Sequence, residues 1–341
     1  MPPSPRVSVV LPVRDAVGTV SESIESILSQ SESDLELIIV DDGSGDETRD
    51  ILRHYAAKDK RVRILSSDGS GIVAALNLGV EASQGDCVAR MDADDVSHKE
   101  RLCLQCDFLD SNPDVGLVSS CVEHWCKDGE SRKGYAAYVD WTNGVLNHEA
   151  IKLSRFVESP FAHPSVAFRK VLVKQLGGYR DGPFPEDYEL WLRWLECGVR
   201  MEKISRTLLR WRDHDDRLSR CDPRYSAEAF YRMKLEYLYR WLERNNPFHP
   251  EVKIWGAGRT TRARAGFLAS AGAVVTGYYD VDPRKIGRPR SDLLVRSVDE
   301  IPGSGKEFIV GMVGARGARE KVAAFLRGRG HREGIDYILA A

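Results

Sequence analysis

The segment VARMDADD, residues 88–95, places three aspartates, Asp92, Asp94 and Asp95, within four positions directly after a short apolar run. Carboxylates this close repel each other unless a cation neutralises them. Mg²⁺ and Mn²⁺ prefer oxygen ligands, and Mg²⁺ is commonly bound by one or two protein carboxylates together with phosphate oxygens and water. The alternative is an acidic turn without function, and the segment alone does not decide between these interpretations.

Three further segments carry residues that could do chemistry. Asp41 begins DDGSGD, Glu186 and Asp187 begin EDYELWLRW, and His214 lies in WRDHDD. Each has a structural explanation, because Asp46 can cap a helix and acids favour a first helical turn. In the functional interpretation, Asp41 hydrogen-bonds a nucleotide base, Asp187 is a general base, and His214 binds the metal.

Alternating strands and helices position the two acidic segments that begin at Asp41 and Asp92. Continuous apolar runs predict strands, and the segments between them have helical spacing, which is typical of a parallel sheet covered on both faces. Asp41 follows the second strand and Asp92 the fourth, at the edge where such sheets bind ligands. The predicted strands are 7–13, 35–40, 62–65 and 87–91, and the predicted helices are 18–30, 46–58 and 71–83.

Beyond residue 110 the pattern is mixed until an amphipathic helix over 186–197, which has Pro185 before it and Gly198 after it. A long aromatic helix over 223–243 follows, and then the polar, proline-bearing segment RNNPFHP. The strand–helix pattern restarts at Val252. We therefore predict a first domain over 1–243, a linker over 244–250, and a small α/β domain over 251–341.

Five segments in order, VSVVLPVRDA, LELIIVDDGSGDET, GDCVARMDADD, FPEDYELWLRW and RWRDHDDRLS, resemble the inverting glycosyltransferases of family 2. The resemblance covers roughly residues 6–240. It implies the α/β GT-A fold with a mixed, mainly parallel sheet, followed here by a small Rossmann-like α/β domain. It also implies a nucleotide-diphosphate sugar donor, most often UDP-linked, and a divalent metal ion, Mn²⁺ or Mg²⁺.

The resemblance also implies roles for individual residues. Asp187 would be the catalytic base and Asp94 and His214 the metal-binding residues, while we expect Asp95 to cap the next helix. Arg14 stands where many relatives carry an aromatic residue, His or Tyr followed by Asn. The residues expected to bind the nucleotide sugar are Pro12, Arg14, Asp41, Asp92 and Arg212, and those on the acceptor side are His163, Glu186 and Trp191.

The implied reaction is one in-line displacement at the anomeric carbon by an acceptor hydroxyl, with inversion of configuration. The whole-chain layout resembles β-1,3-N-acetylglucosaminyltransferase-like proteins, so N-acetylglucosamine is the first guess for the donor sugar. The alternative is a non-catalytic nucleotide-sugar binding protein. A sugar nucleotidyltransferase is disfavoured because LPVRDAVGTV has one glycine where a glycine-rich phosphate loop is needed.

The segment KIWGAGRTTR resembles a Rossmann-type turn, in which Gly256 and Gly258 allow a tight bend and Asp280 lies near the distance expected for a ribose-binding acid. Thr261 occupies the position of the third glycine. The C-terminal domain therefore has two interpretations, a second nucleotide site or a structural and interaction module.

Composition excludes several classes of protein. With 42% apolar and 29% charged residues the chain is typical of a soluble globular protein. Seven irregularly spaced cysteines disfavour a disulfide framework, and Cys103 and Cys106 fall in a helical pattern, which disfavours zinc. The apolar run near the N-terminus is too short for a signal peptide, so we predict a cytoplasmic protein.

The formal net charge of −2 is unevenly distributed, with 16 Lys/Arg and 10 Asp/Glu in residues 251–341. This basic part suits an anionic ligand or peripheral contact with a membrane surface. The sequence has no basic run interleaved with aromatic residues, so we do not expect nucleic acid as a partner. The expected partners are the donor and a saccharide, lipid-linked or protein acceptor.

Overall fold

The computed structural model describes residues 4–126, 133–215, 217–290, 293–315 and 317–341. The chain folds into two units, each with its own sheet. The first comprises Met1–Ile151, Pro160–Gly182 and Glu186–Asp222, and the second comprises Lys152–Ser159, Pro183–Pro185 and Pro223–Ala341. This division differs from the predicted boundary at 243, because the long aromatic helix and two short segments from the middle of the chain pack with the second unit.

The first unit contains a mixed eight-stranded sheet in the order β3-β2-β1-β4-β7-β6-β8-β5. The pairs β1–β2, β1–β4, β2–β3 and β6–β8 are parallel, whereas β4–β7, β6–β7 and β5–β8 are antiparallel. The strands are β1 Val7–Val13, β2 Leu35–Asp41, β3 Val62–Ser66, β4 Cys87–Arg90, β5 Val96–Ser97, β6 Val115–Cys126, β7 Ala167–Arg169 and β8 Arg200–Asp213.

Helices cover the parallel part of this sheet. In α1, Val20, Ile24 and Ile27 recur at helical spacing and are fully buried. Gly79 of α3 lies so close to β1 that a Cβ there would be 2.4 Å from Cγ1 of Val10. The helices are α1 Val20–Leu28, α2 Thr48–Lys58, α3 Ile72–Ala82, α4 Arg101–Ser111, α5 Lys133–Gly144, α6 His148–Ser154, α7 Val171–Leu176, α8 Glu186–Glu196 and α9 Leu218–Cys221.

The second unit contains a six-stranded sheet in the order β11-β12-β10-β9-β13-β14, parallel except for the β11–β12 pair. This is the doubly wound order of Rossmann-like domains. Its strands are β9 Glu251–Trp255, β10 Val274–Asp280, β11 Pro289–Arg290, β12 Leu293–Ser297, β13 Ile309–Gly311 and β14 Tyr337–Leu339, and its helices are α10 Ala227–Asn245, α11 Arg259–Ser270 and α12 Ala318–Gly328.

Helix α10 begins after Ser226, whose hydroxyl accepts a hydrogen bond from the backbone N–H of Ala229 (3.3 Å), and it runs to Asn245. The first two residues of the predicted linker therefore belong to this helix. All seven cysteines are free thiols. Within the described residues, no helix combines the length and apolarity needed to cross a bilayer.

Candidate active site

The two acidic segments leave the same edge of the sheet because β2 and β4 both pair in parallel with β1. Val10 lies opposite both Ile38 and Arg90. The backbone N–H of Met91 donates to the carbonyl of Val10 (3.0 Å), and that of Asp42 donates to the carbonyl of Val13 (2.8 Å). Both chains thus continue alongside β1 as they reach the carboxyl edge.

Asp41 is buried at the end of β2, and both carboxylate oxygens have partners. Oδ1 accepts the backbone N–H of Ser44 (3.0 Å), and Oδ2 accepts Nε of Arg49 (2.6 Å). Burial opposes ionisation, but the hydrogen bonds from Ser44 and Arg49 lower the pKa of Asp41 on balance. Asp41 is therefore an ionised acceptor, and the half-exposed Arg49 is a neighbour that the sequence did not single out.

Pro12 lies in β1 and Arg14 in the loop that follows this strand. Pro12 is buried within the strand, opposite Val40. The exposed Arg14 guanidinium lies 3.7 Å from Oδ2 of Asp15 and 3.9 Å from Oδ2 of Asp42. Their predicted roles in nucleoside binding stay predictions.

Asp92, Asp94 and Asp95 each offer an oxygen atom, and these atoms lie within 4.8 Å of one another. Asp92 forms an ion pair with Arg90, and Oδ2 of Asp94 is hydrogen-bonded to Nε2 of His214 (2.7 Å). Oδ2 of the fully buried Asp95 has no hydrogen-bond partner among the described residues. A carboxylate donor set with an unsatisfied buried oxygen fits a divalent cation.

Asp95 does not cap the next helix, so that expectation was wrong. Helix α4 begins at Arg101 and its N-cap is Glu100. Oδ1 of Asp95 instead accepts the backbone N–H of Arg212 (2.8 Å), while its carbonyl accepts the hydroxyl of Ser23 (2.7 Å). Asp95 thus ties the acidic loop to β8 and α1.

The three carboxyl groups differ in acidity. Burial raises the pKa of Asp92 despite the Arg90 charge, and burial with the charges of Asp94 and Asp92 raises the pKa of Asp95 well above its usual range. Burial also opposes ionisation of Asp94, but the His214 hydrogen bond and the Arg217 charge lower its pKa on balance. Asp94 is therefore the member of the three whose pKa the protein lowers, by stabilising the charged form.

The end of β8 and the residues after it surround this cluster with positive charge. Nε of Arg212 donates to the carbonyl of Asp94 (2.6 Å), and its guanidinium lies 4.2 Å from the centre of the Trp125 ring. His214 orients Asp94 through the hydrogen bond to Oδ2, and its predicted role as a metal ligand stays a prediction. Arg217, which the sequence reasoning missed, interacts electrostatically with all three aspartates.

Asp187 lies in the first turn of α8, beside the buried Glu186. Its Oδ1 accepts the backbone N–H of Tyr188 (2.7 Å). Burial and the charge of Glu186 raise the pKa of Asp187 to about 7, against the opposing charge of Arg90. A carboxylate with this pKa can accept a proton near neutral pH.

His163 and Trp191 form a buried aromatic layer. Nε2 of His163 is hydrogen-bonded to the hydroxyl of Tyr179 (2.8 Å), and burial holds the pKa of His163 well below its usual range. Trp191 has no exposed surface and packs edge-on against Phe161 and His163, with ring centres 5.8 and 5.9 Å away. Trp191 therefore does not face solvent in this structure, and its place on the acceptor side stays a prediction.

Arg90 connects the acidic cluster with Asp187. Its side chain is buried at the end of β4 and pairs with Asp92. Its charge also acts on the pKa of Asp187, His163 and Tyr179. The sequence reasoning missed Arg90 because an arginine inside a strand pattern gives no signal of its partners.

The second unit contains the expected Gly-rich turn, and Asp280 makes hydrogen bonds within that turn. Gly256 has a φ of +108°, which favours glycine, and Gly258 is the N-cap of α11. Asp280 is buried and accepts the backbone N–H of Ala257 (2.8 Å) and Nζ of Lys285 (3.0 Å) through Oδ2. Its Oδ1 accepts the backbone N–H of residue 282 (2.9 Å). Asp280 thus stabilises the turn through both oxygens, and its predicted contact with a ribose stays a prediction.

A mixed α/β sheet with an acidic cluster at the carboxyl edge of its parallel strands, where such sheets bind nucleotides, is typical of one class of protein. This class is the nucleotide-sugar transferases of GT-A fold. Residues 8–177 match the family model described as Glycosyl transferase family 2. The chain is 34% identical over 242 residues to the O-antigen biosynthesis glycosyltransferase WbnJ of Escherichia coli, covering 70% of this chain and 89% of that protein. The protein belongs to glycosyltransferase family 2, and it is an enzyme that uses a nucleotide sugar.

Two further similarities concern a relative and a solved structure. The chain is 31% identical over 213 residues to the UDP-Gal:alpha-D-GlcNAc-diphosphoundecaprenol beta-1,3-galactosyltransferase of Escherichia coli, covering 60% of this chain and 74% of that protein. The crystal structure of S. aureus TarS 1–349 in complex with UDP-GlcNAc has a TM-score of 0.55 and 18% identity, covering 78% of this chain and 71% of that one. At this identity the structural similarity supports the fold alone.

A mannosyltransferase, PcManGT from Pyrobaculum calidifontis, is similar at a TM-score of 0.50 and 19% identity, covering 79% of this chain and 74% of that one. Its structure was determined in complex with GDP-Man and Mn²⁺. This likeness too supports the GT-A fold of the first unit.

Proposed function

We propose that the protein transfers a sugar from a UDP-sugar to an acceptor hydroxyl, with inversion at the anomeric carbon and with Asp187 as the general base. One observation carries the proposal. A carboxylate with a pKa of about 7 and the acidic cluster at the carboxyl edge are both influenced by the same buried charge, that of Arg90. The reaction needs two parts. One is an acidic cluster that binds a cation for the diphosphate, and the other is a base for the incoming hydroxyl.

The proton transfer follows from the properties of Asp187. As the acceptor oxygen forms its bond to the anomeric carbon, the hydroxyl proton passes to the Asp187 carboxylate and the bond to the diphosphate breaks. Burial and Glu186 make this carboxylate basic enough to accept the proton, and Arg90 limits the shift so that an ionised fraction remains near neutral pH. Attack opposite the leaving group inverts the configuration, so an α-linked donor gives a β-linked product.

The residues proposed to hold a divalent cation are Asp92, Asp94 and Asp95, whose carboxylates fit that ion. When bound, the cation would stabilise the negative charge that develops on the departing diphosphate. His214 and Arg217 contribute from the protein side, because the first orients Asp94 and the second adds positive charge beside the cluster. Mn²⁺ and Mg²⁺ are the ions to test.

The donor sugar is proposed from the similarities. UDP-N-acetylglucosamine is the ligand in the TarS structure and UDP-galactose is the donor in the name of a relative, so these two are tested first. The same relative's name identifies a lipid-linked saccharide as its acceptor. We propose a saccharide hydroxyl, free or on a diphosphate lipid, as the acceptor here.

The proposal is tested by measuring release of the nucleoside diphosphate from UDP-, GDP- and dTDP-sugars in the presence of Mn²⁺, together with donor binding by calorimetry. We expect binding and slow hydrolysis of a UDP-sugar, and loss of both with a chelator. Binding without turnover for every donor and acceptor would favour the alternative function, a non-catalytic nucleotide-sugar binding protein. Absence of binding to all donors with metal present would contradict both.

The base is tested with Asp187→Asn, which keeps the shape of the side chain and removes its proton-accepting charge. We expect donor affinity within about twofold of the wild type and a loss of transfer of about 10²–10⁴-fold, the contribution typical of a general base. Glu196→Gln, at the other end of α8, is the matched control and should keep full transfer. Equal transfer by Asp187→Asn would mean that another group is the base.

A further inference from the structure

The second unit carries a cluster of charged side chains next to its Gly-rich turn. In the order β10-β9-β13, β9 has the next strand along the chain, β10, on one side and the later strand β13 on the other. The direction in which strands are added to the sheet therefore reverses between β9 and β13. In doubly wound sheets the crevice at such a reversal binds ligands, at the carboxyl ends of the two strands. Here those ends are the turn after Trp255 and the segment Met312–Ala315.

Arg264 of α11 reaches the segment after β13. A Cβ added to Gly314 would lie 2.7 Å from Nη1 of Arg264, so the guanidinium lies directly against this backbone. The guanidinium also lies 4.2 Å from the centre of the Tyr231 ring on α10. Thr261, on the same helix, donates its hydroxyl to the carbonyl of Met312 (3.2 Å), which holds α11 against the end of β13.

Lys234 of α10 adds a second cation to the cluster. It is fully buried, its Nζ donates to the carbonyl of Val157 (2.9 Å), and it lies 4.0 Å from the centre of the Tyr231 ring. Arg319, in the first turn of α12, interacts electrostatically with Lys234 and with Glu158. Arg264 interacts with the same two groups, so all four belong to one electrostatic cluster.

The charges in this cluster do not balance. Burial lowers the pKa of Lys234 to about 7, and the charges of Arg264 and Arg319 act in the same direction, against the opposing charge of Glu158. Arg264, Arg319 and Lys234 thus interact electrostatically with the same carboxylate, that of Glu158. An anion beside the two arginines would reduce the repulsion between these like charges.

We propose that Arg264 and Arg319, which lie on the helices that follow β9 and β13, bind the phosphate group of an anionic ligand, with the buried Lys234 adding positive charge behind them. Two helices of the second unit, α11 and α12, begin beside this crevice, and helix N-termini donate backbone N–H groups to phosphates. Gly256 lets the turn pack closely against the segment after β13, since a Cβ there would lie 2.9 Å from Cγ2 of Val313. The site differs from a dinucleotide site because Asp280 is already bonded to its own turn.

The test is calorimetric titration of the full chain with inorganic pyrophosphate in the presence of a chelator, which removes divalent cations from the first unit. We expect saturable binding that weakens by about tenfold or more in Arg264→Gln and in Arg319→Gln, because each variant loses the charge-assisted hydrogen bonds that an arginine makes to phosphate oxygens. Lys321→Gln, an exposed residue two positions after Arg319 on α12, is the matched control and should bind as the wild type does.

Hydrogen exchange of the wild-type protein locates the site independently of any variant's folding. Pyrophosphate should slow exchange in residues 256–264 and 317–322. Protection confined to residues 41–46 and 92–95 would overturn the proposal, as would unchanged affinity in the folded Arg264→Gln and Arg319→Gln proteins. Neither outcome depends on transfer activity, so the test is separate from that of the proposed function.

Discussion

At the scale of single residues, the raised pKa of Asp187 sets the expected pH dependence of the enzyme. The base must be ionised to accept a proton, and burial with Glu186 raises its pKa to about 7. Below this pH the carboxyl group is protonated, so kcat/KM should fall by about tenfold per pH unit as the pH drops below 7. A rate profile measured from pH 5 to 9 checks this. A profile that stays flat down to pH 5 would contradict the assignment of the base.

The charge of Arg90 should be visible in the same profile. Because this charge lowers the pKa of Asp187, Arg90→Gln should move the acid limb to higher pH, whereas Arg90→Lys should leave it nearer its original position. We also expect weaker donor binding in Arg90→Gln, since Asp92 loses its ion-pair partner. Circular dichroism shows whether each variant is folded. An unmoved limb in folded Arg90→Gln would mean that Arg90 acts only on Asp92.

Functional residues were predictable where they belong to a sequence motif. They were not predictable where their role depends on the residues that the fold places beside them. Asp41, Asp94 and Asp187 stand out from the sequence because acids rarely collect after apolar strands or begin a buried helix turn. Arg90 and Arg217 do not, because their roles come from Asp92 and from the acidic cluster, which the fold brings near. The complete burial of Trp191 was not predictable, because an amphipathic helix pattern does not say which of its aromatic side chains meets solvent.

At the scale of elements, the acidic loop is fixed to β8 by Asp95, so this proposed cation ligand also contributes to stability, whereas Asp94, within the described residues, has no such contact with a backbone N–H of β8. Asp95→Ala should lower the free energy of unfolding by about 1–3 kcal/mol, because it removes the acceptor for the buried backbone N–H of Arg212. Asp94→Ala should change stability little and abolish the Mn²⁺-dependent increase in donor affinity. Urea unfolding and calorimetry measure the two quantities. Full metal dependence in Asp94→Ala would contradict the proposed cation site.

The first elements were predictable within about two residues, whereas the middle of the chain was not. Strand β1 matches its predicted bounds because every residue of the continuous run Val7–Val13 is buried. Strands β6 and β8 were not predicted, although they contain 12 and 14 residues. In β6 the buried residues 115–122 include a glycine and two serines, β8 mixes buried and exposed residues without strict alternation, and the pairing of the two strands shifts register three times. No regular alternation therefore survives in their sequences.

At the scale of the whole molecule, the second unit is assembled from three separate parts of the chain. Phe156 is almost fully buried and packs edge-on against Trp241 of α10, with ring centres 6.0 Å apart. A protein truncated to residues 1–222 should therefore be poorly soluble, because it retains Phe156 and lacks α10, and exposing a buried Phe costs about 1.5–3 kcal/mol. Residues 1–250 keep the Phe156–Trp241 pair and should give more soluble protein, measured as yield after centrifugation. Equal yields would contradict this account.

The chain passes between the two units at residues 151/152, 159/160, 182/183, 185/186 and 222/223. A protease that cuts once, in the exposed part of residues 246–250, would therefore produce two bands under denaturing conditions. The nicked molecule should nevertheless elute as one species in gel filtration. The N-terminal fragment keeps α10 and Phe156, and these belong to the same compact unit as the C-terminal fragment. Backbone continuity at this position and the integrity of the second unit are thus separable properties.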